Sequence, residues 1–161
     1  TYGQSKLMGE NEILNSNVKS IIIRTSWLYS NYGNNFVKKI LHKNKISVVT
    51  DEIGNPTYAH DLALLLVIIL NDLNYNWIIG DIFNFSNIGV CSRYEFSSEI
   101  FKICNKKIKI EKINTNDLKL VVNRPKFSVL DCYKVKKTFD VDLINWKDSL
   151  KKMLNKELIN S

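Results

Sequence analysis

Ser20-Ile21-Ile22-Ile23-Arg24 is the stretch that most limits what this chain can fold into. It is a short β-branched run without alternation. That pattern marks a strand covered on both faces, as in a parallel sheet. A helical pattern precedes it: Leu7, Ile13 and Leu14 recur on one side of Tyr2 to Ser16, and Asn15, Ser16 and Asn17 end the run. Helix followed by buried strand is the second half of a βα unit, so the chain reads as α/β. Thr25 to Asn35 then lies where the carboxyl end of a parallel strand would be. In open α/β sheets ligands bind in that crevice.

The remaining segments agree. Ile46 to Thr50 and Asp81 to Ser86 read as strands, and Ile108 to Ile113 alternates as a half-exposed one. Asp51 to Thr57 is a turn punctuated by Gly54 and Pro56. Asn34 or Asn35 can cap a helix over Phe36 to Lys43. Asp61 suits the positive start of the apolar helix Leu62 to Leu70. That run is well short of the roughly 20 residues that cross a bilayer, so it reads as a buried helix. Asn71 to Gly80 is a loop that tucks Trp77 at the surface. Ser92 with Glu95 forms a capping box ahead of Phe96, Ile100, Phe101 and Ile103. The last helix spans about Trp146 to Leu158, with Leu150, Met153, Leu154 and Leu158 on one face. Asn123 to Asp131 is irregular and carries Arg124 at a proline turn.

The formal net charge is +7, but the lysines are scattered among Asn and Ile, and pairs such as Lys106-Lys107 and Lys136-Lys137 are short. This reads as a solvated surface, not a nucleic-acid footprint. A phosphorylated ligand would still gain from the field. The three cysteines, Cys91, Cys104 and Cys132, form no Cys-x-x-Cys pair, and His42 and His60 have no metal-ligand spacing. A disulfide framework and a metal site are not expected, and a cytoplasmic setting is. No membrane association is expected either. Thr1-Tyr2 opens directly into a helical pattern, which suggests a fragment.

Tyr2 and Lys6 lie four apart, on one face of the first helix. An ammonium beside a phenol favours the phenolate. A tyrosine so placed can exchange a proton with a substrate oxygen. Trp27 reads equally as a core residue or a ligand-facing one from position alone, and Arg124 as a surface ion-pair partner.

Five collinear blocks then carry a resemblance. Tyr2-x-x-x-Lys6 with Leu7 and Gly9-Glu10 comes first, followed by Arg24-Thr25-Ser26-Trp27-Leu28-Tyr29 and Asn34-Asn35-Phe36-Val37. Asp51-x-x-Gly54-x-Pro56-Thr57 with Asp61-Leu62-Ala63 is the fourth. Arg124-Pro125-x-x-Ser128-x-Leu130-Asp131, with Trp146 further on, is the fifth. Together they resemble the extended short-chain dehydrogenase/reductases, in particular their dTDP-4-dehydrorhamnose reductase branch. The resemblance implies the C-terminal part of a Rossmann-like doubly wound sheet plus a small α/β substrate-binding lobe. Residues 1–58 would end the dinucleotide-binding domain, and 59–161 would be mostly substrate lobe, interleaved with it.

The implied activity is hydride transfer from NADPH (or NADH) to the 4-keto group of a dTDP-linked sugar. Tyr2 would be the general acid, and Lys6 would hold the nicotinamide ribose. Thr25 and Ser26 would line the cofactor pocket with them. Trp27 would pack on the sugar, Asn35 and Thr57 would hold substrate, and Arg124 would grip its diphosphate. No Gly-rich phosphate loop occurs in these residues, and the family's catalytic Ser or Thr lies upstream of the tyrosine. These residues alone are therefore expected to bind NADPH poorly and turn nothing over. The strand at Ser20 to Arg24 would expose an edge, which invites a homodimer. Two other readings stay open. One is a different nucleotide-sugar reductase or epimerase, against which Thr25-Ser26-Trp27 weighs. The other is a non-catalytic subunit like the regulatory subunit of methionine adenosyltransferase.

Overall fold

The computed structural model describes residues 2–117 and 124–159, with side chains through residue 156. It is an α/β structure with short, mostly parallel strand pairs. Helix α1 (Tyr2–Asn15) leads into β1 (Ile21–Arg24), which pairs in parallel with β6 (Asp81–Asn84), Ile22 opposite Ile82. Between them come β2 (Leu28–Tyr29), α2 (Phe36–Leu41), β3 (Lys45–Val49), β4 (Ile53–Gly54), β5 (Thr57–Tyr58) and α3 (Ala59–Asn71). After β6 follow β7 (Cys91–Ser92), α4 (Arg93–Ile103), β8 (Lys109–Ile113), β9 (Phe127–Ser128), α5 (Tyr133–Phe139) and α6 (Trp146–Ile159). Strands β2 and β5 pair in parallel, as do β3 and β8. Strand β4 sits between antiparallel β7 and parallel β9.

Two apolar clusters hold these pieces together. In the first, Phe96 of α4 meets Tyr29, Phe36 and Trp146, and α6 closes the cluster with Leu150, Met153 and Leu154, each fully buried. Burial of each of those three side chains is worth about 1.5–3 kcal/mol. The expected face of the last helix is therefore the one that packs, with Leu158 outside the described side chains. The second cluster covers β6 with Leu65 and Ile69 of α3 and Val135 and Phe139 of α5.

Helix α4 starts as its sequence indicates. The Ser92 hydroxyl accepts from the Glu95 amide, and the Glu95 carboxylate accepts from the Ser92 amide at 2.7 Å. Between the clusters lies a buried polar node. Asn87 donates to the Asp61 carboxylate at 2.7 Å and to the Ser149 hydroxyl at 2.9 Å, and accepts from the Tyr58 amide at 2.8 Å. Asp61 is thus a tie between α3, the loop after β6, and α6, beyond any effect on its own helix dipole.

Several expectations need revision. Asp51 to Thr57 is not only a turn, since β4 and the first residue of β5 fall inside it. Trp77 is half-buried, edge-on to Tyr75 at 5.4 Å, and packs against the second cluster. The apolar run in α3 is not buried all round. Leu65 and Ile69 are covered, while Leu64, Leu66, Val67, Ile68 and Leu70 are exposed. No residue of α1 is buried, and Leu7 and Met8 face solvent. Among the described residues β1 has β6 as its one strand neighbour, so its other edge is open, and only Ile22 in it is buried. No described helix is long and apolar enough to cross a membrane.

Candidate substrate site

Three short strands bring distant residues to one cavity. Ile53 of β4 lies opposite Ser92 of β7 on one side and Phe127 of β9 on the other. The residues just outside these pairs are Glu52, Arg93 and the segment from Arg124. Backbone bonds fix the arrangement: Arg93 N–H donates to the Glu52 carbonyl at 3.1 Å, and Ile53 N–H to the Lys126 carbonyl at 2.8 Å. Asn55 staples two loops, donating to the Gly89 carbonyl and accepting from the Leu130 amide, each at 2.8 Å. The cavity that results measures about 420 Å³. Glu52, Arg93 and Arg124 line it with Phe36, Val49 and Lys39.

Its electrostatics are unusual. The Glu52 side chain is 4% exposed and that of Arg93 17%, yet the guanidinium Nε stands 3.5 Å from Glu52 Oε2. Neither Arg93 Nε nor Glu52 Oε1 has a hydrogen-bond partner among the described residues. The pair is close enough to attract but not aligned to bond. Burial pulls the Arg93 pKa below its ordinary value, Glu52 offsets part of that, and the positive charge of Arg124 adds to it.

Trp27 stands beside this cavity in a left-handed backbone conformation, φ 47°, which bulky side chains rarely adopt. The Arg93 guanidinium lies 3.7 Å from its ring centroid. Gly54 lies against the same indole: a Cβ there would meet Trp27 Cε2 at 2.7 Å. The glycine in Asp51-x-x-Gly54 is needed for this close approach. With Arg93 and Gly54 both against it, the indole is half-buried.

The other expected residues fall into separate places. Asn35 caps α2: its Oδ1 accepts from the Lys38 amide at 3.2 Å and its Nδ2 donates to the Ser30 carbonyl at 2.7 Å. Thr57 is fully buried, and its Oγ1 has no partner among the described residues. Arg124 is exposed and lines the cavity.

Tyr2 and Lys6 form a second locus. The Lys6 ammonium is 5.7 Å from the Tyr2 ring centroid, and Tyr2 is 72% exposed. Arg24, at the carboxyl end of β1, clamps Glu10 through two bonds of 2.9 and 2.6 Å. That bonding lowers the Glu10 pKa. Leu14, a turn later, packs on Gly80 just before β6. The helix therefore runs back along the strand, and Tyr2, eight residues before Glu10, stands about 12 Å beyond the clamp. This carries the phenol past the carboxyl end of the sheet, where Thr25 is exposed and Ser26 donates to the Asn55 carbonyl at 2.7 Å.

Over residues 1–159 the chain matches the family described as the RmlD substrate binding domain. The chain belongs to that family. A dTDP-4-dehydrorhamnose reductase of Aggregatibacter actinomycetemcomitans is 36% identical over 165 residues, which take in 93% of this chain and 55% of that protein. One from Sinorhizobium fredii is 34% identical over 163 residues, 95% of this chain and 55% of that protein. The crystal structure of dTDP-4-dehydrorhamnose reductase from Bacillus anthracis in complex with NADP aligns with a TM-score of 0.88 at 33% identity, over 96% of this chain and 55% of that one. The chain thus spans about half the length of the curated relatives it matches, and its α/β elements are those of a Rossmann-like fold.

Two residues of this cavity, Glu52 and Arg93, are not among those the sequence pattern singles out. Glu52 sits in a stretch read as a turn, and Arg93 follows a capping serine whose signal drew attention to the helix instead. One clue to Arg93 was there. An arginine at the first position of a helix opposes the positive end of the helix dipole. Such a residue calls for a nearby anion.

Proposed function

We propose that this chain is the substrate-binding part of an NADPH- or NADH-dependent reductase that converts the 4-keto group of dTDP-4-dehydro-L-rhamnose to the alcohol of dTDP-L-rhamnose. The observation that carries this reading is the solvent-open Tyr2–Lys6 pair. It is raised past the carboxyl end of β1 in a chain that matches such reductases along almost all of its length. On this reading the two apolar clusters divide the chain differently from a boundary at residue 58: the second belongs to the dinucleotide-binding half, and the first, with Tyr29, Phe36, Val37 and Tyr58, to the substrate lobe. The exposed faces of α1 and α3 and the open edge of β1 suit packing against further αβ units of that half, or against a second copy.

The fit to a nicotinamide cofactor is partial. Tyr2, Lys6, Thr25 and Ser26 can hold its nicotinamide ribose end, and the 161 residues contain no glycine-rich loop for its phosphates. When bound, the cofactor supplies the hydride. Tyr2 places its phenol at the substrate's C4 oxygen and donates a proton there as negative charge develops. Lys6, one turn away on the same face, holds the phenol's orientation and compensates the charge it acquires. Arg124 grips the diphosphate through a guanidinium fork. Asn35 acts through the start of α2 that it caps, and Thr57 through its own amide, which donates to the Trp27 carbonyl at 3.3 Å. The three free cysteines suit a reducing, cytoplasmic setting.

The test uses the intact protein with NADPH and dTDP-4-dehydro-L-rhamnose. The expected result is sugar-dependent oxidation of the cofactor, one equivalent per alcohol formed. Interconversion of sugar epimers without net cofactor consumption would replace this reading with an epimerase. No turnover, together with binding to a methionine adenosyltransferase, would replace it with a regulatory subunit.

A further inference from the structure

We propose that Arg93 is a second guanidinium for the substrate's diphosphate, in the cavity that Arg124 also lines, and that Trp27 positions Arg93 there. The inference rests on the nucleotide-sugar reading above. Arg93 is the first residue of α4, where its charge opposes the helix dipole. Its guanidinium is nonetheless largely buried, layered on the Trp27 ring at 3.7 Å and near the Phe36 ring at 5.1 Å. Two aromatic neighbours hold the guanidinium plane, and stacking leaves its in-plane N–H groups free to donate. Glu52 does not satisfy the Nε–H. It approaches at 3.5 Å, and Arg93 Nε and Glu52 Oε1 both remain without partners among the described residues.

Among the described residues two arginines therefore share one cavity with a single carboxylate, and Lys39, Lys43 and Lys45 line it as well. A cavity of about 420 Å³ with this excess of positive charge suits a diphosphate and part of its nucleoside. One face of the Trp27 indole supports the guanidinium. Its left-handed backbone, φ 47°, and the close approach of Gly54 hold the indole in that supporting place.

The experiment measures dTDP and thymidine affinity calorimetrically on the intact protein and on R93M, R93K, W27L and the R93M/W27L double variant. Melting temperatures are recorded for each. The proposal expects R93M to weaken dTDP about tenfold or more, leave thymidine within twofold, and flatten the salt dependence of dTDP binding. R93K, which keeps the charge but loses the fork, should fall between. W27L should also weaken dTDP, although dTDP carries no sugar, and should add little in the R93M background. Unchanged dTDP affinity in both R93M and R93K, or equal losses for thymidine and dTDP, would overturn the proposal and leave the nucleotide-sugar reading standing. W27L with undiminished dTDP affinity would overturn the role given to Trp27. Failure of the unmodified protein to bind dTDP would overturn both the proposal and the reading it rests on.

Discussion

Gly54→Ala tests the packing at the centre of the site. The added Cβ would stand 2.7 Å from Trp27 Cε2, 2.9 Å from Cζ2 and 2.7 Å from Ser128 Oγ. Carbon pairs prefer roughly 3.5–4.0 Å, so the contacts fall about 1 Å short. Ser128 can rotate its hydroxyl away, at the cost of its 3.2 Å bond to the Ile53 carbonyl. The indole has less freedom, because its backbone is in the left-handed region and Arg93 lies on it. Relief must come from tilting Trp27 into Arg93 or from shifting β4. Overpacking of this kind costs about 1–3 kcal/mol. The sign is informative, because Gly→Ala at an unstrained, uncrowded site stabilises a protein by about 0.4–1 kcal/mol through the unfolded chain. Urea unfolding of the intact protein should therefore show a lower midpoint with an unchanged slope. A variant as stable as its parent, or more so, would refute the close packing of Trp27 on Gly54.

Other consequences can be measured together. Asn87→Ala removes the acceptor for the Tyr58 amide and the donor to Asp61 and Ser149, all buried. It should cost roughly 2–5 kcal/mol by the same unfolding assay, and a loss below 1 kcal/mol would show that the node is not holding the two clusters together. Acid should also destabilise the fold. Burial raises the Asp81 pKa, but Lys134 and Tyr75 outweigh it, and the net shift is downward. Thr115 lowers that of Asp51, and Ser92 that of Glu95. Carboxylates depressed in the folded state bind fewer protons than the unfolded chain. Their stabilisation is complete above the unfolded values of about 4 and is lost as pH falls through the folded ones. Melting temperature should be flat above about pH 5 and fall below about pH 4, and a rise on acidification would contradict these assignments.

How much of this was legible in the sequence follows the range of the interactions. The Ser92–Glu95 box and the Leu150, Met153, Leu154 stripe are local, and both fold as they read. The parallel strand at Ile21–Arg24 was visible from its β-branched run. Its full burial did not follow, because a strand's second neighbour is not written in the strand. The same holds for α3, whose all-apolar sequence implies complete burial while only one face meets the second cluster. Two-residue strands β4, β7 and β9 have no periodicity to read, and long-range pairing alone makes them. They bring Glu52, Arg93 and Arg124 together, so the cavity could not be assembled from spacing. Arg124 was found by its place in a recurring block, Arg93 only by its neighbours in space.

On the proposed function, Tyr2 delivers a proton to the C4 oxygen as hydride arrives at C4. The most direct measurement gives the intact protein, and its Tyr2→Phe variant, NADPH deuterated on the transferred position together with dTDP-4-dehydro-L-rhamnose. Deuterium is expected at C4 of the alcohol from the unmodified protein. A rate at least about 100-fold lower is expected from Tyr2→Phe, within the range general acid catalysis contributes, with dTDP affinity retained. Deuterium elsewhere in the sugar, or a Tyr2→Phe variant that reduces it at an undiminished rate, would contradict the proposed function.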